Sequence, residues 1–297
     1  MNYLINHSLS PATRLQYNRN WQEFIDFLKY LDIPTYLPIA ADDVAMYVSH
    51  LWRKEIKITS IRTKLAAISF FHNIRDIKDP CKSFMIKQLL KGTVKCMPVT
   101  GNKLKPINKT LLHDILTCFR SLVTDTYEYY LYSAIFLLSY YCCLRAGEAV
   151  VSNTDQHTLN INQISFEGDV LFIKFLSFKH SQTNIPKFCI PKNDSGFCPI
   201  FALKEYLKLR PSIQGNLFIH RNTKPVNRLD YSKKLKCIIR KLGLDVLRYN
   251  THSFRIGRAT DLSSEGVRSE IIKQTGRWST DAYLKYIRLG IFCVPTN

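Results

Sequence analysis

The sequence predicts a mainly α protein with one small antiparallel β-sheet, built as a helical N-terminal domain followed by an α+β domain. Three observations predict it. Apolar residues recur at spacings of three and four through Leu90, the periodicity lapses into a Gly-, Pro- and Lys-rich stretch at 92–106, and alternating β-rich segments lie between Leu159 and Pro191. These place a helical domain at 1–95, a linker at 96–106 and the second domain at 107–297.

The chain's 297 residues are enough to bury two cores. Lys+Arg 42 against Asp+Glu 23 gives a formal net charge of +19, which points to a polyanionic partner. Nucleic acid is favoured over a membrane, because no basic amphipathic helix stands apart. The longest apolar run, Tyr132 to Leu144, is too short to span a bilayer and reads as a buried helix. No signal peptide is expected. Nine scattered cysteines without a Cys-x-x-Cys pair read as reduced thiols, and neither a metal site nor a cofactor is expected.

In the first domain, Ser10-Pro11 is a helix start, and Tyr17, Trp21, Phe24, Leu28 and Leu31 form its apolar stripe. Arg14, Arg19 and Asn20 lie off that stripe, free to face DNA. A second helix begins at the acidic pair Asp42-Asp43, placed where a helix N-terminus favours negative charge. A third follows Thr59 or Ser60 with Ile61, Leu65, Ile68 and Phe71 inward and Arg62 and Lys64 on other faces. A fourth follows Pro80, presenting Phe84, Ile86, Leu89 and Leu90 to the core.

The second domain opens with a helix through Leu111 to Leu116, then the apolar helix ending at Leu144, with Arg145 directly after it. A charge there is costly to bury unless it is paired, and Glu148 stands three residues on. Segments 162–166, 169–175 and 187–191 read as an antiparallel sheet, with turns at Glu167-Gly168-Asp169 and at His180 to Asn184. Lys179 precedes the second turn, and Lys174 is its rival for a place in a cleft. A helix from Ile200 to Leu209 comes next. The segment Tyr231 to Leu242 carries Lys233, Lys234 and Arg240, suited to phosphate-backbone contacts that position DNA without reading its sequence.

The stretch Thr251 to Arg288 concentrates the chemistry. His252 and Arg255, three apart, share one helix face and can converge on a single anion, and arginine's planar fork matches phosphate oxygens. Trp278 adds an indole donor and Tyr286 a phenol able to act as a nucleophile. The ordered set Leu144-Arg145-Ala146-Gly147-Glu148, a hairpin lysine, His252-Ser253-Phe254-Arg255, Gly276-Arg277-Trp278 and Tyr286-Ile287-Arg288 resembles the tyrosine recombinases over nearly the whole chain. The wording Gly-Arg-Trp-Ser-Thr-Asp-Ala-Tyr is similar to that of eukaryotic mobile elements of the DIRS and Crypton kinds.

That resemblance implies a helical core-binding domain ahead of a catalytic domain. It implies that Arg145 and Arg255 bracket a phosphate, that His252 shares the contact and assists proton transfer, that Lys179 protonates the departing 5′ oxygen, and that Tyr286 becomes joined to a 3′ phosphate. The family commonly carries His or Trp directly after the glycine. Here Arg277 holds that place and Trp278 the next, so either side chain is a candidate for the last phosphate contact, Arg277 as a DNA-binding residue and Trp278 as the favoured one. Tyr283 is the nucleophile's near rival. The implied partner is double-stranded DNA, bound by a homotetramer on two sites, in the nucleus if the host is eukaryotic. A type IB topoisomerase-like monomer and a domesticated protein that binds DNA without cutting it are the competing readings.

Overall fold

A computed structural model describes residues 8–96, 104–152, 157–175, 187–192 and 197–288. The chain divides into two compact units, Met1–Gly101 and Asn102–Asn297.

The first unit holds four helices: α1 (Pro11–Tyr30), α2 (Ala41–Arg53), α3 (Ile58–Asn73) and α4 (Phe84–Cys96). Ser10 caps α1 by accepting the Thr13 amide at 3.3 Å, with Pro11 in the first turn where its missing N–H costs nothing. Helix α1 packs on α3 and α2 on α4, around Phe24, Leu28, Val44, Tyr47, Leu51, Ile61, Ile68 and Ile86. His72 staples this core. Its Nδ1 donates to the Ile68 carbonyl at 2.8 Å, and its Nε2 accepts the Ile39 amide at 3.3 Å.

Four details depart from the periodic reading. Asn20 is buried, its amide reaching the Thr63 carbonyl at 3.5 Å between α1 and α3. Leu31 lies past the end of α1 and is exposed. Phe84 is 75 % exposed, because a short 3₁₀ turn at Pro80–Lys82 precedes α4 and shifts its inward face to Ile86 and Thr93. Helix α4 also continues through Gly92 to Cys96, into the stretch where the apolar pattern fades.

The second unit is built on α6 (Thr126–Tyr141), whose residues Leu131 to Tyr140 are all buried. A helix apolar on every face needs neighbours on every side. They are α5 (Lys109–Leu122), α8 (Pro199–Leu209), α9 (Arg228–Lys241) and α10 (Ser253–Ser264), all contributing to one core. Asn108, Asp125 and Asn227 cap α5, α6 and α9 by accepting amide hydrogens. Buried phenols are satisfied, as where Tyr231 donates to Ser139 at 2.8 Å.

The sheet has the order β1-β2-β3, all antiparallel: β1 (Ile164–Glu167), β2 (Val170–Lys174) and β3 (Lys187–Pro191). Ile164 pairs with Ile173 and Phe172 with Cys189, and Leu171 and Ile173 turn into the core. Gly168 makes the first turn at φ 58°, a conformation open to glycine at little cost. The expected turn from His180 to Asn184 lies outside the described residues. Helix α6 stops at Tyr141, three residues short of the expected end, because Cys143 turns left-handed at φ 47°.

Gly257 shows how closely α10 is held. A Cβ at this position would stand 1.7 Å from the Ile107 carbonyl oxygen, and the Ile107 amide donates to Ser253 at 2.9 Å. The obstacle is backbone, so Gly257→Ala is expected to cost ~3 kcal/mol, the upper end of overpacking penalties. Denaturant unfolding checks this, and an unchanged midpoint would contradict the close approach.

Candidate active site

Three backbone segments of the second unit bring the site together. After α6, the turn Cys142-Cys143-Leu144 delivers Arg145 as the N-cap of the short helix α7 (Ala146–Ala149). Glu148 accepts the Arg145 amide at 2.8 Å and pairs with its guanidinium at 2.9 Å. Arg145 thus has both its structural partner and a side chain that remains 29 % exposed.

The second segment is the start of α10. Asn250 accepts the His252 amide at 2.8 Å, setting His252 as the N-cap and Arg255 in the first turn. Arg255 is fully buried. Its guanidinium donates to the Cys143 carbonyl and to the Gly276 carbonyl at 2.5 Å, and its Nε has no partner among the described residues.

The third is α11 (Ser269–Gly276) with the chain from its C-terminus to Tyr286. The helix closes with the Trp278 amide on the Lys273 carbonyl at 2.9 Å and Arg277 left-handed at φ 54°. Glycine is the usual residue in that conformation, yet here it sits one position earlier for another reason. A Cβ on Gly276 would lie 1.7 Å from the Trp278 ring, so only glycine lets the indole pack there. A 3₁₀ turn at Asp281–Lys285, held by a 2.7 Å Lys273–Asp281 ion pair, then leads to Tyr286.

The result is a cluster of rings over a buried cation. The Tyr286 ring centroid lies 5.0 Å from those of His252 and Trp278, and the Arg255 guanidinium sits 4.1 Å from the Trp278 centroid and 5.5 Å from that of Tyr286. The Trp278 indole N–H is buried without a partner among the described residues, a donor left for an acceptor from outside. Tyr283 is buried in the apolar cluster of Cys143, Leu262, Ile272 and Trp278, whereas Tyr286 is partly exposed. Thr260, which the sequence offers no signal for, holds the Tyr286 segment: its hydroxyl meets the Tyr286 carbonyl at 3.4 Å and accepts the Arg288 amide at 3.1 Å.

Burial, then the charges of Arg255 and Arg145, push His252 down to about 4, so its imidazole is neutral at pH 7. Burial likewise brings Arg255 down to about 10, still charged. Burial pushes the Glu148 carboxyl up, but Arg277 and then Arg145 outweigh it and hold it below the ordinary range. His252 carries a stability signature. The unfolded imidazole takes a proton near its ordinary 6.5 and the folded one only near 4, so the unfolded state binds more protons between these values and stability is lost as pH falls through that window. Unfolding midpoints of the wild type are expected to drop more steeply from pH 6.5 to 4 than those of His252→Gln; parallel curves would refute the burial of a neutral imidazole.

Three of the cations expected to contact DNA are ion-paired within the protein. Arg277 is buried, paired with Glu148 at 2.6 Å, donating to the Cys142 carbonyl at 2.9 Å and lying 4.3 Å from the Phe175 ring centroid. Lys64 is ion-paired with Glu23 of α1 and mostly covered. Lys234 pairs with Glu128 and lies over the Phe119 and Tyr132 rings. In each case a carboxylate on a distant stretch captures the cation. Arg14, Arg19 and Arg62 are exposed on the first unit, and Lys233 and Arg240 on α9 of the second. Lys179 lies outside the described residues; Lys174 ends β2 and is exposed. No group of three or more metal-ligating side chains occurs among the described residues, and no described helix is long and apolar enough to cross a membrane.

A helical unit followed by an α+β unit, with two arginines, a histidine, a tryptophan and a tyrosine meeting in the second, defines the tyrosine recombinase architecture. The chain belongs to the phage integrase family: the family model matches residues 113–287, and the model for the phage integrase N-terminal SAM-like domain matches residues 1–75. Among solved structures it is similar to the Tn1549 transposon integrase in complex with circular intermediate DNA, at 18% identity and a TM-score of 0.65 over 98% of this chain and 94% of that one. The XerH site-specific recombinase bound to difH substrate matches at 16% identity and a TM-score of 0.67, over 93% of this chain and 76% of that one. A lambda integrase dimer bound to a COC′ core site matches at 13% identity and a TM-score of 0.60, covering 96% and 74%. No curated protein sequence matches the chain.

Proposed function

We propose that this protein is a site-specific DNA recombinase of a mobile element, which breaks and rejoins duplex DNA through a 3′-phosphotyrosyl link on Tyr286. The observation that carries this reading is the placement of the Tyr286 ring 5.0 Å from the neutral His252 and over the Arg255 cation. The Tyr286 oxygen forms a bond to phosphorus, its proton passing to His252, while the bond from phosphorus to the 5′ oxygen breaks. Lys179 supplies the proton that lets the 5′ hydroxyl leave. Arg145, the Trp278 indole and Arg255 stabilise the charge gathering on the non-bridging oxygens, where each lost donor costs about a hundredfold to a thousandfold in rate. The bond energy stays in the phosphotyrosyl link, so a 5′ hydroxyl from another strand reseals the backbone without ATP or metal.

The net charge of +19 and the exposed Arg14, Arg19, Arg62, Lys233 and Arg240 support double-stranded DNA as the partner, as do the DNA complexes of the structurally similar recombinases. A homotetramer on two sites fits paired strand exchange. The Gly276-Arg277-Trp278 wording favours the DIRS and Crypton kinds of element, and with them a nuclear location. Covalent capture tests the reading. After incubation with nicked, randomised duplexes and denaturation, DNA joined through its 3′ phosphate is expected on the Tyr286 peptide by mass spectrometry. An adduct on Tyr283 moves the nucleophile, and duplex binding with no adduct rejects the cutting mechanism.

A further inference from the structure

Arg277 stands where the phosphate was expected to find a donor, yet its side chain is 1 % exposed and both terminal nitrogens are engaged inside the protein, its Nε alone lacking a partner among the described residues. One nitrogen serves the Cys142 carbonyl at 2.9 Å and the Thr275 carbonyl at 3.3 Å; the other serves Glu148 at 2.6 Å and the Cys143 carbonyl at 3.3 Å. Both of the latter acceptors are shared with the site. The same Glu148 carboxylate holds the Arg145 guanidinium at 2.9 Å, and the same Cys143 carbonyl accepts from Arg255. A non-glycine residue kept left-handed at φ 54° persists only where its surroundings hold it, and these contacts, with the Phe175 ring, do so.

We propose that Arg277 is a positioning residue that sets both arginines assigned to the phosphate, fixing Arg145 through Glu148 and Arg255 through the Cys143 carbonyl. It never touches DNA. With Arg277 in place, Glu148 cannot swing fully onto Arg145, so the carboxylate is divided between two guanidiniums and Arg145 keeps donors for an outside anion. This deepens the recombinase reading and, for its rate measurement, rests on it.

Arg277→Lys keeps the charge and loses the fork; R277G fits the left-handed turn without strain and serves where the lysine variant does not fold. Single-turnover adduct formation is expected to slow by about 100-fold, the cost of a misplaced site group, with duplex affinity and its salt dependence unchanged. A phosphate contact would instead lower the slope of log affinity against log salt by about 0.9, and that result overturns the proposal. A merely structural role would slow R277K equally in the wild-type and Arg145→Lys backgrounds. Action through Arg145 makes the second loss much smaller than the first.

A readout that needs no cutting separates this inference from the function on which it rests. The rate at which an arginine-selective dicarbonyl labels Arg145, located by peptide mass spectrometry, is expected to change severalfold in R277K. Unchanged labelling overturns the positioning role even where the wild type forms no adduct, whereas changed labelling with no wild-type adduct upholds the geometry and rejects the recombinase reading alone.

Discussion

Tyr286→Phe is expected to abolish the covalent DNA adduct, a rate loss on the order of 10⁶-fold, while duplex affinity and the folded structure are retained. The substitution removes one oxygen and keeps the ring that packs 5.0 Å from His252 and Trp278 and over Arg255. No other described phenol of the site is ready to replace it. Tyr283 is covered by the apolar cluster beneath Trp278, and Tyr140 donates its hydroxyl to Asp261, burial and that carboxylate pushing its ionisation far up. Denaturing electrophoresis of protein incubated with a nicked duplex, beside a binding titration, checks both halves. A residual adduct at wild-type rate would show that the nucleophile lies elsewhere.

Glu148→Gln is expected to lower the stability of the second unit by about 3–5 kcal/mol, although the side chain barely changes shape. Both carboxylate oxygens face donors: one the Arg145 guanidinium, the other the Arg145 amide and the Arg277 guanidinium. An amide must turn its NH₂ toward one of these donors, leaving a buried cation without its counter-charge. The wild type should also lose this contribution in acid. The folded carboxyl titrates below its ordinary 4.5, so its stabilisation is complete above that value and falls away as pH drops toward the folded one. Chemical denaturation of both proteins from pH 7 to 3 checks the claim, since the gap between their stabilities should narrow as pH falls below 4.5. Equal stability at pH 7 would mean that Glu148 is dispensable to the two guanidiniums it pairs with.

Helix α6 was legible because an all-apolar face pattern leaves it nowhere to go but the interior, and the sheet because its strands alternate and turn at Gly168. His252 and Arg255 were legible for a related reason, as a spacing of three fixes a shared helix face before any tertiary contact exists. The cations were not. A helical period says which way a lysine leaves the axis, but not which carboxylate will meet it. Lys64 finds Glu23 forty-one residues away, Lys234 finds Glu128 at 106, and Arg277 finds Glu148 at 129. The role of Gly276 was not legible either, since only the packed structure shows that it makes room for an indole while its neighbour Arg277 takes the left-handed turn.

The concealment of Arg255 has a consequence in time. Nothing outside the protein reaches its guanidinium while the Trp278 and Tyr286 rings close over it and two carbonyls hold it from behind. For any incoming anion, arrival and engagement therefore run on separate clocks. Cations on the surface govern the first, at a rate that varies with ionic strength. The second requires the contacts around Arg255 to rearrange, because its guanidinium is fully buried and held by two carbonyls.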